Sequence, residues 1–402
     1  MADVNDWRET TIGALASVSR GASPRPIASG RWFDAKSDVC WVRIADVNRS
    51  DGRTLRVTTQ ALSADGIARS RFLKPGSLIM SIAATVGIPI ITGVPACIHD
   101  GFVALESLKI NQRFLLYLLK ASELKLREAG QSGSQMNVNT DIVRGLAVRI
   151  PGDRKEQERI AEALWNLDDQ IVTLERLIVK RQAIQQGMMQ QLLTGKTRLF
   201  GSGGKWEDVT VGDLTDQYRR TVDPRRERRR RFEHFSLPAF DDGQTPVCEL
   251  GSSIDSIKLV VPQGAVLVSK LNPRIPRIWA PEVIGSNAIA STEFIVVVPK
   301  RGTDRSFLKW LMKSTCVVSR MKLFATGTTG SHSRVHPRHL AAIEVSVPVE
   351  SEQVAIATAL DDVDREIGLL HQRLGKVRYV KHGMMQELLT GRTRLPAQEV
   401  VQ

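Results

Sequence analysis

The stretch Gly187-Met-Met-Gln-Gln-Leu-Leu-Thr-Gly-Lys-Thr-Arg-Leu199 occurs a second time, as Gly383-Met-Met-Gln-Glu-Leu-Leu-Thr-Gly-Arg-Thr-Arg-Leu395. The copies lie 196 residues apart, and this spacing holds without a gap back to Glu156-Gln157 and Glu352-Gln353. Between residues 155–199 and 351–395, 21 of 45 positions are identical. An internal repeat of this kind determines the architecture before any other feature is considered. We therefore predict a chain that is built from two copies of one unit.

Each copy of the repeat is predicted to form one long helix. Apolar residues recur at steps of four and three between charged residues, which is the heptad pattern of a helix that pairs with another helix. Asp153 followed by Glu156 resembles a capping box, and Gly195 and Gly391 suit the left-handed position just past a helix end. The apolar seams consist of Ile160, Leu164, Leu167, Ile171, Leu174, Met188 and Leu192, and of Ile356, Leu360, Val363, Ile367, Leu370, Met384 and Leu388.

Two arrangements fit these seams. The simpler one is that the helices pack on each other as an intramolecular coiled coil. The alternative is that each helix packs on its own globular half. Gly187 and Gly383 lie inside the helices, where glycine is unfavourable, and they indicate either a close backbone approach or a kink.

The composition is that of an ordinary globular protein with room for about two or three domains in 402 residues. No apolar run approaches the ~20 residues that span a membrane, and no signal-peptide pattern precedes the first domain, so we expect a cytoplasmic protein without membrane contact. The four cysteines form no CxxC pair, which argues against a zinc site and a disulfide framework. A net charge of +13 favours nucleic acid or an acidic partner.

Outside the repeats, residues 1–150 and 206–347 carry the same landmarks in the same order. Trp7-x4-Ile-Gly resembles Trp206-x4-Val-Gly, and Phe114-Leu-x-Tyr resembles Phe307-Leu-x-Trp. In the first segment we predict a helix over 111–129 and strands over 41–47, 77–82, 89–92, 101–105 and 146–150. The predicted fold is α+β, with a globular domain over 1–150, a long helix over 151–199, a second globular domain over 200–347, and a second long helix with a tail over 348–402.

Several basic and polar clusters suit contact with nucleic acid, because guanidinium groups bind phosphates and guanine edges and amides bind base edges. The densest cluster has six arginines in residues 225–231, and its alternative interpretation is a solvated charge run. The two Gly-Ser loops could equally be turns without a recognition role. The candidates are Arg31, Arg43, Arg49, Arg53, Gln131, Ser134, Gln135 and Asn137 in the first half, and Arg225, Arg226, Arg228, Lys270, Asn272, Arg274, Arg277, Thr328, Ser331, His332 and Arg334 in the second.

The sequence offers no candidate catalytic site. There is no Gly-rich nucleotide loop, and Asn272-Pro-Arg-Ile lacks the second proline and the aromatic residue of an adenine methyltransferase motif. His332, His336 and His339 lie close together in sequence, but no carboxylate accompanies them, so contact with nucleic acid or solvent is favoured over a metal site.

With two variable domains, each followed by Glu-Gln-x-x-Ile-Ala-x-x-Leu and a helix that ends in Leu-Leu-Thr-Gly-x-Thr-Arg-Leu, the chain resembles the specificity subunit of type I restriction–modification systems. The resemblance covers essentially the whole chain, and the helical motifs are its specific part. It implies two target recognition domains, each of which reads one half of a split site in double-stranded DNA, and two long helices that pair antiparallel as a spacer.

The resemblance also implies a non-catalytic protein. Its helices would dock two methyltransferase subunits, which bring S-adenosylmethionine, and restriction subunits with helicase activity would add ATP and magnesium. This chain itself would carry no cofactor. The alternatives are the recognition subunit of a methylation-only or type II-like two-subunit system, and a coiled-coil scaffold that binds nucleic acid.

Overall fold

The computed structural model describes residues 7–130, 138–199, 203–327 and 333–396. The chain divides into two compact units, which consist of residues 1–176 with 371–402 and of residues 177–370. We call them the first and the second unit. Each unit therefore contains the beginning of one long helix and the end of the other.

The first unit combines short strands with helices that pack on them. Its strands are β1 (Trp7–Thr11), β2 (Ser17–Arg20), β3 (Cys40–Val42), β4 (Thr54–Leu55), β5 (Gln60–Ala61), β6 (Arg71–Leu73), β7 (Leu78–Ser81), β8 (Pro89–Thr92), β9 (Ala96–Ile98), β10 (Phe102–Glu106) and β11 (Ala147–Pro151). Its helices are α1 (Ile12–Leu15), α2 (Ile44–Arg49), α3 (Ala64–Ala68), α4 (Gln112–Ala121), α5 (Glu123–Ala129), α6 (Thr140–Gly145) and the beginning of α7 (Arg154–Leu192).

Three sheets organise these strands, in the orders β1-β11, β2-β10-β7-β8-β4 and β5-β3-β9-β6. The predicted strand over 41–47 is wrong beyond Val42, because the chain there turns into α2. The buried Asp46 carboxylate accepts hydrogen bonds from the backbone N–H groups of Arg43 and Thr59, both at 3.1 Å, which fixes the helix start. The predicted helix over 111–129 is divided at Ser122, whose hydroxyl donates to the carbonyl oxygen of Leu118 at 2.8 Å.

The second unit has its own set of strands and helices. The strands are β12 (Glu207–Thr210), β13 (Thr215–Gln217), β14 (Thr221–Val222), β15 (Arg231–Phe235), β16 (Val247–Leu250), β17 (Lys258–Val260), β18 (Val266–Ser269), β19 (Ile278–Trp279), β20 (Ala288–Ala290), β21 (Phe294–Pro299) and β22 (Glu344–Val347). The helices are α8 (Val211–Leu214), α9 (Leu237–Asp241), α10 (Arg305–Lys313), α11 (Thr315–Phe324), α12 (Pro337–Ala341) and the beginning of α13 (Glu350–Leu388).

The sheets of the second unit resemble those of the first, although the second sheet has four strands instead of five and the third has five instead of four. Their orders are β12-β22, β13-β21-β18-β19 and β14-β17-β20-β15-β16. In both units the third sheet contains one central parallel pair, β3 with β9 and β15 with β20, within otherwise antiparallel pairing. The fold thus confirms the tandem duplication and the α+β class, although little sequence outside the repeats is shared.

The long helices α7 and α13 each contain 39 residues and run antiparallel within each unit. The side-chain pairs between the two helical segments show that they are antiparallel. As the residue number increases along α7, the number of its partner along the α13 segment decreases. In the first unit the pairs are Glu156–Arg394, Asp168–Lys381 and Glu175–Arg378. In the second unit they are Glu352–Arg198, Asp364–Gln185 and Glu366–Arg181.

Both packing arrangements that the seams allowed are present. Ile160 and Leu164 are fully buried in the core of the first unit, where Leu388 from the end of α13 joins them. Ile356 and Leu360 lie likewise in the core of the second unit with Leu192. Each globular domain therefore packs on the start of the helix that follows it and on the end of the other helix.

A glycine in each Leu-Leu-Thr-Gly motif lies against a tryptophan at the start of a domain. Gly391 has φ of +73°, and a Cβ atom added to it would stand 2.8 Å from the ring of Trp7. Gly195 has φ of +68°, with the corresponding distance to Trp206 at 3.3 Å. Gly187 and Gly383 differ, because a Cβ at either position would meet no heavy atom within 4 Å among the described residues, so the predicted close approach is not found there.

These glycines give a matched pair of substitutions. Gly391→Ala should lower the free energy of unfolding of the first unit by about 1–3 kcal/mol, because the left-handed backbone and the Trp7 ring both oppose a methyl group. Gly383→Ala should instead raise it by about 0.5–1 kcal/mol, since alanine is the better residue in a helix interior with free space. Urea denaturation followed by circular dichroism measures both, and a Gly391→Ala variant as stable as the parent protein would contradict this packing.

Candidate nucleic-acid interface

The arginine run of the second unit has a defined structure. Residues 224–227 form a 3-10 helix that Asp223 caps by accepting from the backbone N–H of Arg225, and the run then enters strand β15. Gly251 lies so close beneath this turn that an added Cβ would stand 2.4 Å from the carbonyl oxygen of Pro224. The backbone N–H of Gly251 donates to the carbonyl oxygen of Arg230 at 2.9 Å. The run is therefore held on the sheet.

The arginine side chains of this turn differ in how firmly they are held. Arg225 forms two hydrogen bonds with Asp223, at 2.8 and 3.0 Å, and these bonds hold the pKa of that carboxyl below its usual range. Arg226 is held more loosely, since its Nε lies 3.8 Å from Asp223 Oδ2 and its side chain is 87% exposed, and Arg228 is exposed too. Exposed guanidinium groups on a fixed backbone are suited to contact DNA phosphates.

A second basic feature is the loop that follows β18. Asn272 has a left-handed backbone, φ +48°, and its N–H donates to the carbonyl oxygen of Ser333 at 2.8 Å. The loop is thereby tied to the segment of Arg334, whose guanidinium forms a bidentate contact with Glu293. The structure thus joins Lys270, Asn272 and Arg334 at one place, as candidates from two separate stretches of sequence.

The other two arginines of this loop have opposite environments. Arg274 is exposed, whereas the side chain of Arg277 is only 14% exposed and forms two hydrogen bonds with Asp241, at 2.7 and 2.8 Å. Arg274 is therefore the freer contact, and Arg277 stabilises the loop against α9. Thr328, Ser331 and His332 lie outside the described residues.

In the first unit, three candidate arginines are exposed in separate settings. The guanidinium of Arg31 stacks 3.8 Å above the ring of the buried Trp32. Arg43 reaches Gln60 at 3.5 Å, and Arg49 lines an open cleft of about 340 Å³ with Arg56. Gln131, Ser134, Gln135 and Asn137 lie outside the described residues.

Arg53 is a correction to the list of candidate DNA contacts. Its side chain is 6% exposed and forms an ion pair of 2.8 Å with Asp169 on α7. It also donates to the carbonyl oxygen of Trp165 at 3.2 Å and stacks on that ring at 4.6 Å. Arg53 therefore fastens the domain to the long helix. Asp169 is distant from Arg53 in the sequence, so the sequence alone does not reveal this ion pair.

The seam residues of the long helices differ in burial. Eight of them are buried, namely Ile160, Leu164, Leu174, Leu192, Ile356, Leu360, Ile367 and Leu388. The remaining six are partly exposed. The partly exposed residues are Leu167, Ile171, Met188, Val363, Leu370 and Met384. Met384 and Met188 pack against the cores of the first and second unit respectively.

The sequence did not single out two ion pairs of buried glutamates, which join Glu156 to Arg394 and Glu352 to Arg198. Glu156 is 2% exposed at its side chain and accepts from Arg394 Nε at 2.9 Å, with a second contact to Arg394 Nη2. Glu352, also 2% exposed, accepts from Arg198 Nε and Nη2, both at 2.5 Å. The signal was available, because these glutamates and arginines are among the few charged residues that are identical in the two copies of the repeat.

The glutamines beside these glutamates have an equally specific role. Gln157 Oε1 accepts from the backbone N–H of Asn111 at 3.0 Å, and its Nε2 donates to the carbonyl oxygen of Pro151. Gln353 makes the same contacts with Asp304, at 2.9 Å, and with Pro348. The Glu-Gln motif therefore fixes α4 and α10 to the long helices.

Among the residues that the structure describes, no three or more histidine, cysteine and carboxylate side chains gather in a group that could hold a metal ion. Within the same ranges, no helix is both long and apolar enough to cross a membrane.

Comparison with known proteins agrees with this architecture. Residues 5–183 match the family model of the type I restriction modification DNA specificity domain. The S subunit of a type I restriction–modification system from M. genitalium is similar over 99% of both chains, with 13% identity and a TM-score of 0.63. A chain from a structure on complex assembly and conformational transition of the type I R-M system is similar over 97% of this chain and 99% of that one, with 15% identity and a TM-score of 0.55.

The duplicated α+β units and the paired helices define the fold of type I S subunits, which the structural comparisons show. The match to the family model covers the first globular domain and most of α7, which contain the first copy of the motif Glu-Gln-x-x-Ile-Ala-x-x-Leu.

The arginine turn gives a testable expectation. Replacing Arg226 and Arg228 with Gln should weaken binding to a short DNA duplex and reduce the slope of log K against log[salt] by about 0.9 for each DNA phosphate that is no longer neutralised. Fluorescence anisotropy at several salt concentrations measures this slope. The matched control is Arg365→Gln with Arg373→Gln on α13, which removes the same charge from exposed positions. Equal slopes for the two double variants would show that the arginine turn does not touch DNA.

Proposed function

We propose that this chain is the DNA-recognition subunit of a type I restriction–modification complex and that each unit reads one half of a split site. The observation that carries the proposal is that one framework occurs twice with different exposed side chains. The second unit presents an ordered arginine turn and a basic loop after β18, whereas the loop after β7 in the first unit has no basic residue between Ala83 and Gly87. Two copies of a scaffold with different contact surfaces suit the reading of two different sequences.

The long helices are proposed to dock two methyltransferase subunits as well as to pair with each other. The seam residues already pack the two long helices on each other. The methyltransferase subunits would therefore bind the apolar side chains of these helices that are exposed to solvent. Tyr379 and Val380 in the first unit are 80% and 47% exposed, and Val179 and Leu369 in the second are 65% and 60% exposed. Exposed apolar residues on a helix that already has a partner indicate a further interface.

The helices are also proposed to act as the spacer between the half-sites. A helix of 39 residues is about 58 Å long, at ~1.5 Å per residue. Divided by ~3.4 Å per base pair, this length bounds the separation of the half-sites at roughly 17 base pairs.

In this proposal the partner subunits catalyse the reactions of the complex, and the complex acts in the cytoplasm. The methyltransferase subunits would bring S-adenosylmethionine and methylate adenine in each half-site, and restriction subunits would bring ATP and magnesium. A methylation-only or type II-like two-subunit system remains the second candidate, because it would use the same recognition subunit and differ only in the partners that co-purify with it.

Exchange of one domain tests the modular assignment. Replacing residues 206–347 with the corresponding residues of another specificity subunit should change one half of the methylated site and leave the other half unchanged, because the framework contacts lie in the repeats. Sequencing that detects N6-methyladenine in cells with the hybrid complex gives both halves at once. Exchange of residues 7–150 is the reciprocal control and should change only the other half. A change in both halves from either exchange would contradict the proposal.

A further inference from the structure

Three segments of the second unit bring basic side chains to one place. Gln217 at the end of β13 donates from Nε2 to the carbonyl oxygen of Pro337 at 2.9 Å and accepts from Arg219 Nη2 at 2.7 Å. The backbone N–H of Val335 donates to the carbonyl oxygen of Lys270 at 3.0 Å. The ends of β13 and β18 and the start of α12 are thus adjacent.

The basic side chains carried by these adjacent segments make up what we call the histidine cluster. Its members are Arg219, Lys270, His336, Arg338 and His339. The rings of His336 and His339 are 5.9 Å apart, and Arg338 Nε donates to His339 Nε2 at 3.4 Å. His339 Nδ1 is buried without a hydrogen-bond partner among the described residues, so this ring nitrogen lacks an acceptor. Arg219, His336 and Arg338 are exposed to solvent.

The electrostatic environment of His336 is dominated by positive charge. Desolvation and neighbouring basic groups lower its pKa below the usual range. These neighbours are Arg338 and His339 on its own helix, Arg219 after β13, and Lys270 after β18, in decreasing order of effect. The carboxylate that acts on Lys270 is Glu293, which is already held by the bidentate contact with Arg334. The cluster is therefore a concentration of cationic side chains that an anion would stabilise.

The first unit has the same backbone contacts with different side chains. Its Val138 N–H donates to the carbonyl oxygen of Ile82 at 3.0 Å, as Val335 does to Lys270. Asn139 then takes the place of His336, and Asp141 takes the place of Arg338. The framework does not need the basic residues, which are specific to the second unit.

We propose that the histidine cluster is a phosphate-binding site, which takes up a DNA backbone phosphate together with a proton on His336. The inference rests on the proposed DNA-binding function and deepens it. Phosphate oxygens accept hydrogen bonds from guanidinium, ammonium and imidazolium groups, and such contacts position a protein on DNA without reading its bases.

The proposal fixes the sign of a pH dependence. In the free chain, desolvation and the neighbouring cationic groups lower the pKa of His336 from its ordinary value, which favours the neutral imidazole. A bound phosphate raises that pKa, so the complex holds more protons than the free chain. Binding is then strongest at low pH, and this contribution is lost as the pH rises through the pKa of the bound state.

The experiment measures binding of the full chain to a short DNA duplex by anisotropy, at constant ionic strength. Affinity should increase about threefold to tenfold from about pH 7.5 to pH 6. His336→Asn should remove most of this increase, and it keeps a side chain that can cap α12, since Asn139 caps the equivalent helix of the first unit. His371→Gln, at an exposed histidine of α13, should retain the full increase.

Two outcomes separate the inference from the proposed function. If His336→Asn keeps the pH dependence of the parent chain, the phosphate site is wrong and DNA binding stands. If no variant binds DNA at any pH, the proposed function fails. Nuclear magnetic resonance of the His336 imidazole with inorganic phosphate then decides about the site alone. An upward shift of its pKa supports the site, and an unchanged pKa overturns it.

Discussion

A buried glutamate that meets an arginine from the other copy of the repeat is the interaction on which this architecture depends. Glu156 lies at the start of α7 and Arg394 follows the end of α13, while Glu352 and Arg198 repeat the pair with the helices exchanged. A buried carboxylate needs a hydrogen-bonded partner of opposite charge, and in both units that partner comes from the other copy of the repeat. Each unit is therefore closed by a residue from the opposite half of the sequence. The same pairing gives a role to the glutamate of Glu-Gln and to the arginine of Thr-Gly-x-Thr-Arg-Leu in both copies.

The features that sequence predicts well are those that are local or repeated. Heptad spacing identifies both long helices, the strand over 89–92 matches β8, and Gly195 and Gly391 have the left-handed backbone expected after a helix. What fails depends on contacts between distant residues. Asp46 accepts a hydrogen bond from the backbone N–H of Thr59, and residues predicted as a strand form α2 instead. The buried Arg53 side chain forms an ion pair with Asp169, which lies more than a hundred residues further along the chain. Periodicity carries no information about such partners.

The candidate site shows the same division. Sequence locates the arginine run and the loop after β18 as basic stretches, but it cannot tell which guanidinium groups are already bound. Asp241 holds Arg277 and Glu293 holds Arg334. Arg228 and Arg274 are exposed, and so is Arg226 despite a loose ion pair with Asp223. The histidine cluster, which includes Arg219, Lys270 and His336, forms only because the fold places the ends of β13 and β18 beside the start of α12. The candidate contacts therefore lie in loops that differ between the units, next to long helices that share the repeated motifs.

The most direct test of the central claim is a map of N6-methyladenine in the genome of the cell that carries this gene, before and after its deletion. A chain that reads two half-sites for a methyltransferase predicts a split motif, methylated in each half, that disappears with the gene and returns when the gene is restored. A methylation pattern that is unchanged by deletion, in cells whose partner methyltransferase is expressed, would contradict the claim that this protein selects the DNA sequence.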